Sequence, residues 1–302
     1  MKTVIAGGTG FLGRALARSL VTAGHDVVTL TRRAPAGPSS NGRGVAWQPD
    51  GQAGDWAREI DGATAVVNLA GESIAARRWS AEQKRRILDS RVRATRSLVN
   101  AVRQVAQPPR VFVSGSAVGY YGPRGDETVT EANAPGNDFL ARVCIEWEAE
   151  ARAAEPLTRV VYLRTGLVLD RNEGALPQML PPFWVGAGGP VGSGRQYWPW
   201  IHLQDWVDLT RFVIQTPAVA GALNASAPAP VTNAEFAAAL GRVLGRPAFL
   251  RAPGFALKLV LGEMAGPLLL SGQRAVPAKA EAVGVTFTYR RLDDALRAIF
   301  NR

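Results

Sequence analysis

The ten residues from Val4 to Gly13 read Val-Ile-Ala-Gly-Gly-Thr-Gly-Phe-Leu-Gly. An apolar, β-branched run ends in glycines, and a helical pattern begins at Phe11. In Gly7, Gly10 and Gly13 the first glycine permits a tight strand-to-helix turn. The second lets a pyrophosphate approach the backbone, and the third lets the helix lie close on the sheet. The helix start adds free N–H groups and a positive dipole end, so Gly7, Thr9, Gly10, Phe11, Leu12 and Gly13 are candidate binders of a dinucleotide. The plain alternative is an ordinary glycine-rich turn. The second strand closes on Thr31, Arg32 and Arg33. Where NAD is preferred, a carboxylate at this strand end holds the ribose 2′-hydroxyl; two guanidiniums suit a 2′-phosphate instead. NADP(H) is the expected cofactor, unless Arg32 and Arg33 are simply solvated.

The elements that would hold these residues follow from the pattern of apolar runs. Strands are expected at Lys2–Ala6, Asp26–Thr31, Val45–Gln48, Ala63–Ala70, Arg110–Ser114 and Thr158–Leu163, with a Pro-, Gly- and Ser-rich loop over Ala34–Gly44. Helices are expected at Phe11–Ala23, from an N-cap at Ser80 to about Ala106, and over Asp138–Ala154. Alternating strands and helices imply an α/β fold, a doubly wound parallel sheet of Rossmann type. The pattern loosens after about residue 170. Residues 1–170 are expected to form the NADP-binding domain, with later segments returning to it, and 171–302 a smaller α+β substrate lobe. That lobe has helices near Leu203–Gln215, Thr232–Leu244 and Leu292–Phe300 and a strand near Ala222–Ala225.

Composition narrows the function classes. The 302 residues contain one cysteine, Cys144, and two histidines, His25 and His202, too few for a cysteine- or histidine-rich metal centre; no metal is expected. The net charge of +10 favours anionic ligands. Its densest run, Arg77-Arg78, Lys84-Arg85-Arg86, Arg91 and Arg93, is interrupted by Glu82 and Asp89 and lacks a nucleic-acid motif. It reads as a solvated helix face, with part of it facing the cofactor. The apolar stretch Phe255–Leu270 is broken by Lys258, Glu263 and Pro267, too short to span a bilayer, and is expected to be a buried helix. With no signal peptide at Met1-Lys2-Thr3-Val4, the expectation is a cytoplasmic protein with a small-molecule substrate and no nucleic-acid or membrane partner.

Beyond the glycines, further segments resemble the extended short-chain dehydrogenase/reductase superfamily over most of the chain. They are Asn68-Leu69-Ala70-Gly71, Ser114-Gly115-Ser116-Ala117 through Tyr120-Tyr121-Gly122, and Trp200-Ile201-His202-Leu203-Gln204-Asp205. Within it the chain is similar to an NAD(P)-dependent, epimerase-like family of oxidoreductases. That family's marks are Gly71-Glu72-Ser73-Ile74, Arg78-Trp79, Ser90-Arg91-Val92 with Thr95, Trp147-Glu148, Gly192-Ser193-Gly194-Arg195-Gln196, and an extra segment near Pro253–Arg302. The resemblance implies that Leu69, Ala70, Gly71 and Glu72 line the cofactor, with Arg91 and Ser114 beside it, and that Ser116 orients a carbonyl. It also implies a homodimer through the helices at 81–106 and 138–154.

The chain departs from the superfamily where its Tyr-x-x-x-Lys dyad belongs, reading Phe139-Leu140-Ala141-Arg142-Val143. Phe139 has no proton to give and Val143 no charge with which to lower a tyrosine's pKa. Tyr120 or Tyr121 would have to supply the acid, with Arg142 or Arg91 as cation; packing is the alternative for both tyrosines. Cys144 reads as a nucleophile or as an inert buried thiol. On the substrate side Arg195, Trp198 and His202 are candidate contacts. Trp184, Trp198 and Trp200 equally suit a core, and His202 a strand-end hydrogen bond. Two functions remain: an NADP(H)-dependent oxidoreductase or epimerase, or an NADP(H)-binding sensor without chemistry.

Overall fold

A computed structural model describes residues 1–33 and 40–301. Of the expected 34–44 loop, residues 34–39 lie outside the described residues. The first half runs β1 (Lys2–Ala6), α1 (Phe11–Thr22), β2 (Asp26–Thr31), β3 (Arg43–Ala46), β4 (Ala65–Asn68), α2 (Ala81–Gln104) and β5 (Val111–Ala117). There follow β6 (Thr128–Val129), α3 (Phe139–Arg152), β7 (Arg159–Thr165), β8 (Leu167–Leu169) and α4 (Leu176–Trp184). Next come β9 (Tyr197–Trp198), β10 (Trp200–His202), α5 (Leu203–Gln215), β11 (Gly221–Ala225), β12 (Val231–Thr232) and α6 (Asn233–Leu244). The chain closes with α7 (Gly254–Leu261), a one-turn 3-10 helix, a π-helical turn (Gly266–Leu270), β13 (Arg274–Ala275), α8 (Ala278–Ala282) and α9 (Leu292–Phe300).

Seven strands form one parallel sheet in the order β11-β7-β5-β4-β1-β2-β3. The order reverses between β1 and β4, so their carboxyl ends open the crevice in which such sheets bind ligands. One face packs under α1 and α5 through Leu16, Leu20, Trp206 and Val213; the other packs under Leu98 and Val102 of α2 and under Trp47 and Trp56 of the segment between β3 and β4. α2 starts where Ser80 accepts the Gln83 amide at 3.1 Å, and α3 where Asp138 accepts the Ala141 amide at 2.8 Å. β3 lies two residues earlier than expected, because its pairing with β2 runs Val28–Thr31 against Arg43–Ala46. β11 joins the sheet beside β7, after α5 has already packed on its face.

A separate hydrophobic cluster joins α4, α6 and α9 around Trp200, Phe236, Leu240 and Leu296. Thr232 and Glu235 make a reciprocal capping box at the start of α6. The expectation of a buried helix over Phe255–Leu270 is corrected: the stretch breaks into α7, a 3-10 turn and a π turn, and no residue of α7 is buried.

Candidate active site

The glycine loop separates two kinds of glycine. Gly7 has φ +79°, and a Cβ there would sit 2.7 Å from the Leu69 carbonyl; a Cβ on Gly8 would sit 2.6 Å from the Thr29 side chain. A Cβ on Gly13 would collide with the Gly7 carbonyl oxygen. These three are required by the protein's own packing. A Cβ on Gly10 would meet only the Gly7 carbonyl, at 3.3 Å. Gly10 leaves bare backbone on an exposed edge and caps α1 with no side chain. The first-turn amides, beginning at Phe11 and Leu12, therefore point out of a helix end that has no acidic residue to compete for them. Phe11 and Leu12 pack their side chains on the core beneath. Thr9 is exposed; its carbonyl accepts from Arg14, which also pairs with Glu173. This cradle suits the diphosphate of a dinucleotide.

At the end of β2 the Thr31 hydroxyl donates to the Arg33 carbonyl at 3.1 Å and turns the chain out of the sheet. Arg32 and Arg33 are exposed, and neither guanidinium has a partner among the described residues. The neighbouring wall starts at Asn68, which donates to Thr95 at 2.8 Å and accepts the Ala70 amide at 3.2 Å. These bonds fix the course of Leu69, Ala70 and Gly71. Glu72 is pinned by its amide on Ser90 (3.0 Å) and by its carboxylate accepting from Gln83 (2.9 Å).

Arg91 reaches this wall from α2. Its Nη1 donates to the Glu72 and Ile87 carbonyls at 2.9 and 3.0 Å, and its guanidinium lies 5.1 Å from the Trp147 ring centre. It would come within 3.1 Å of a Cβ on Gly71. No carboxylate pairs with it among the described residues, and burial pushes its guanidinium below the ordinary value. The result is a largely buried cation with donors to spare beside the Leu69–Glu72 wall.

Ser116, at the end of β5, donates to Glu148 at 2.7 Å. Glu148 is in turn held by both forks of Arg164 at 2.8 Å, and Arg164 donates to the Tyr121 hydroxyl at 3.0 Å. Tyr121 donates to Asn224 at 2.7 Å. Burial alone would lower the Arg164 guanidinium, but the paired bonds to Glu148 hold it above its usual value. Burial pushes the Tyr121 hydroxyl up to about 12. Tyr121 is thus fastened into the core. Tyr120 is only partly buried, its ring stacks on Arg164 at 3.4 Å, and its hydroxyl has no partner among the described residues. Arg142, one of the two cations expected to serve these tyrosines, points to solvent and pairs with Glu146. Sequence reasoning missed Arg164, although an arginine closing an apolar strand run (Val160 to Leu163) is a signal in itself, since a buried charge needs a partner. Ser114 is fully buried, its hydroxyl turned to the Gly115 carbonyl at 3.3 Å.

The corner where the dyad belongs is apolar. Val143 is buried with Trp79, Ile87 and Met264, and Phe139, Leu140, Ile74, Leu261 and Leu268 pack around them. Phe139 meets Trp79 edge-on at 5.0 Å. Leu261, Met264 and Leu268 come from the C-terminal segment, which is tied down by Lys84–Glu263 at 2.8 Å and by Arg78 on the Leu259 carbonyl at 3.2 Å. Cys144, next to Val143, is buried, and burial pushes its thiol up to about 11.

The three substrate-side candidates are not brought together. Arg195 is exposed in a cleft of about 530 Å³ with Asp126, Ser193, Thr232 and Arg251. Trp198 is buried in the cluster of α4, α6 and α9, edge-on to Phe236. His202 caps α5, its Nδ1 accepting the Gln204 amide at 3.0 Å, and its ring lies against Tyr289. Burial lowers its pKa. Among the described residues no cluster of metal-ligating side chains occurs, and no helix is long and apolar enough to cross a membrane.

A doubly wound parallel sheet with a glycine cradle at its switch point defines a dinucleotide-binding α/β protein. The NAD dependent epimerase/dehydratase family matches residues 3–225, and a domain of unknown function, DUF1731, matches 252–299. The chain belongs to this epimerase family. It is 40% identical to the chloroplastic SDR39U1 homologue of Arabidopsis thaliana, over 99% of this chain and 86% of that protein. It is 38% identical to the human epimerase family protein SDR39U1, over 99% of both. A crystal structure of human SDR39U1 with NADPH superposes with a TM-score of 0.91 at 35% identity, covering all of both chains.

Proposed function

We propose that this protein binds NADP(H) and exchanges hydride with a small organic substrate, as an oxidoreductase or epimerase that works without the Tyr-x-x-x-Lys dyad. The observation that carries the reading is the bare Gly10 backbone over an uncompeted helix end, with two arginines closing β2 that have no partner among the described residues. The human relative that was crystallised with NADPH supports the same choice. Gly7, Thr9, Gly10, Phe11, Leu12 and Gly13 hold the diphosphate. Thr31 turns Arg32 and Arg33 toward a 2′-phosphate, and Leu69 to Glu72 form the wall against which the cofactor lies. When bound, the cofactor supplies or accepts the hydride.

The remaining work falls to the chain's own residues. Arg91 offers from α2 the positive charge that Val143 does not, and its spare N–H donors face the same wall. Ser116 positions a carbonyl by turning its hydroxyl from Glu148, whose charge stays compensated by Arg164. Tyr120, with its free hydroxyl, gives or takes the proton, and the apolar corner of Phe139, Val143 and Met264 excludes water. Arg195 and the polar cleft around it receive the far end of the substrate.

The missing dyad favours a second reading, in which the cofactor is bound and no chemistry follows. Purified protein is incubated with NADPH and fractionated small metabolites, and absorbance is followed. The proposal predicts consumption that needs both the protein and one fraction, with loss of at least about a hundredfold in Ser116→Ala and Tyr120→Phe. No consumption with any fraction, while fluorescence shows NADPH bound, selects the binding-only reading.

A further inference from the structure

Among the described residues ten large apolar side chains are exposed, and seven of them fall in three segments. Trp184 and Val185 close α4, Phe249 and Leu250 lie in the segment after α6, and Phe255, Leu259 and Val260 stand on α7. The first two segments run side by side. Leu250 donates its amide to the Gly188 carbonyl at 3.1 Å, Ala252 donates to Pro190 at 2.9 Å, and α7 begins two residues later. Phe255 and Leu259 are 77% and 78% exposed. A helix that is apolar on nearly every side is ordinarily buried, yet α7 has no buried residue. An exposed apolar patch of this kind marks a contact surface.

Charge identifies what the surface fits. No aspartate or glutamate occurs between Glu173 and Asp205 or between Glu235 and Glu263, whereas Arg195, Arg242, Arg246, Arg251 and Lys258 all fall in those stretches; Arg242 is paired with Asp293, and Asp126 shares the cleft of Arg195 and Arg251. Arg246 and Lys258 are exposed and have no carboxylate partner among the described residues. Arg251 donates through Nη1 to the Gly192 and Ser193 carbonyls, at 3.0 and 2.6 Å, and has no ion-pair partner among the described residues. A second copy of the chain would bring these cations against their own kind. An interface of apolar tails beneath anionic headgroups complements both features at once, because the aromatic and aliphatic side chains enter the headgroup–acyl boundary while the cations stay among the phosphates.

We propose that the apolar surface formed by Trp184–Val185, Phe249–Leu250 and α7 is a peripheral docking face for an anionic phospholipid surface. The contact lies on the membrane and does not span it. The backbone of α7 is braced from behind by Arg78, and the segment after it by Lys84 and by Gln196, whose Nε2 donates to the Leu269 carbonyl at 2.7 Å. The face is therefore presented by the same segment that closes the apolar corner of the site.

The test is co-sedimentation of the full chain with vesicles of phosphatidylglycerol and phosphatidylcholine, or of phosphatidylcholine alone, at low and high salt. The expected result is pelleting with the anionic vesicles only, weakened by salt. Phe255→Asp combined with Leu259→Asp lowers partitioning by more than about tenfold, as withdrawal of two apolar side chains from the interface implies. Lys258→Glu lowers it by less. NADPH affinity and melting temperature stay unchanged in all variants, since these side chains are exposed. No pelleting with anionic vesicles overturns the proposal. So does pelleting that the double aspartate variant retains, which would move the contact to another basic surface such as α2. A dimer in sedimentation velocity that the same variant dissociates would make the face a self-contact and overturn it as well.

Discussion

The cofactor cradle and the dyad corner lie at the same end of the same sheet but are built from opposite materials. The cradle is backbone: Gly7, Gly8 and Gly13 are glycine because neighbouring atoms leave no room for a side chain, and Gly10 is bare although almost nothing crowds it. The corner is side chain: Phe139 and Val143, where an acid and a cation would stand, are sealed by Trp79, Ile87 and Met264. A positive charge stands one helix over, at Arg91 on α2. The ligand cradle thus rests on the main chain, whereas the side chains of the dyad are replaced by apolar packing.

Restoring the dyad attacks this contrast hardest. Val143→Lys with Phe139→Tyr would place an ammonium in the apolar cluster of Trp79, Ile87 and Met264. Such a burial costs several kcal/mol. Urea unfolding should show a loss of at least about 3 kcal/mol and no gain in turnover. A stable, faster variant would show that the corner is an ordinary dyad site awaiting its residues.

The cradle can be divided by two alanines. Gly13→Ala should lower stability by about 1–3 kcal/mol through overpacking on Gly7 and weaken NADPH together with it. Gly10→Ala should leave the melting temperature nearly unchanged and weaken NADPH by at least about tenfold, because the new methyl stands where the phosphates approach. If Gly10→Ala binds normally, the bare backbone has no ligand to explain it.

The smallest effect concerns Cys144. Its thiol is pushed up to about 11 in the folded chain from an ordinary value near 9. The unfolded chain therefore loses the proton first, and stability is full below about pH 9 and falls as pH rises from there toward 11. The loss at pH 10 is on the order of 1 kcal/mol, and Cys144→Ala should flatten that limb of the profile. Equal alkaline limbs in both proteins would place the thiol in an ordinary environment.

The cradle was legible because glycine spacing after a β-branched run is a local steric statement. Helices α5 and α9 were legible for a similar reason, their apolar periodicity ending at clear boundaries. Arg164 was not read, because only the fold brings β7 under Glu148 and Tyr121. Of the two tyrosines, sequence could not say which is fastened to Asn224 and which keeps a free hydroxyl. The short strands β8 to β10 depend on pairing between distant segments, with β10 beside β8 and β9 beside β12. The Phe255–Leu270 stretch shows the limit most plainly: apolar composition asks for cover, and it does not say whether the chain itself provides it.

On the proposed function, the main-chain cradle and the β2 arginines select NADP(H). Titration of NADPH and NADH into the wild-type chain and into Arg32→Ala combined with Arg33→Ala, followed by fluorescence, tests it most directly. The account predicts NADPH tighter than NADH by about ten- to a hundredfold in the wild type, and a double variant that loses this preference while NADH binding holds. Equal affinities in the wild type, or equal loss of both dinucleotides in the variant, would contradict it.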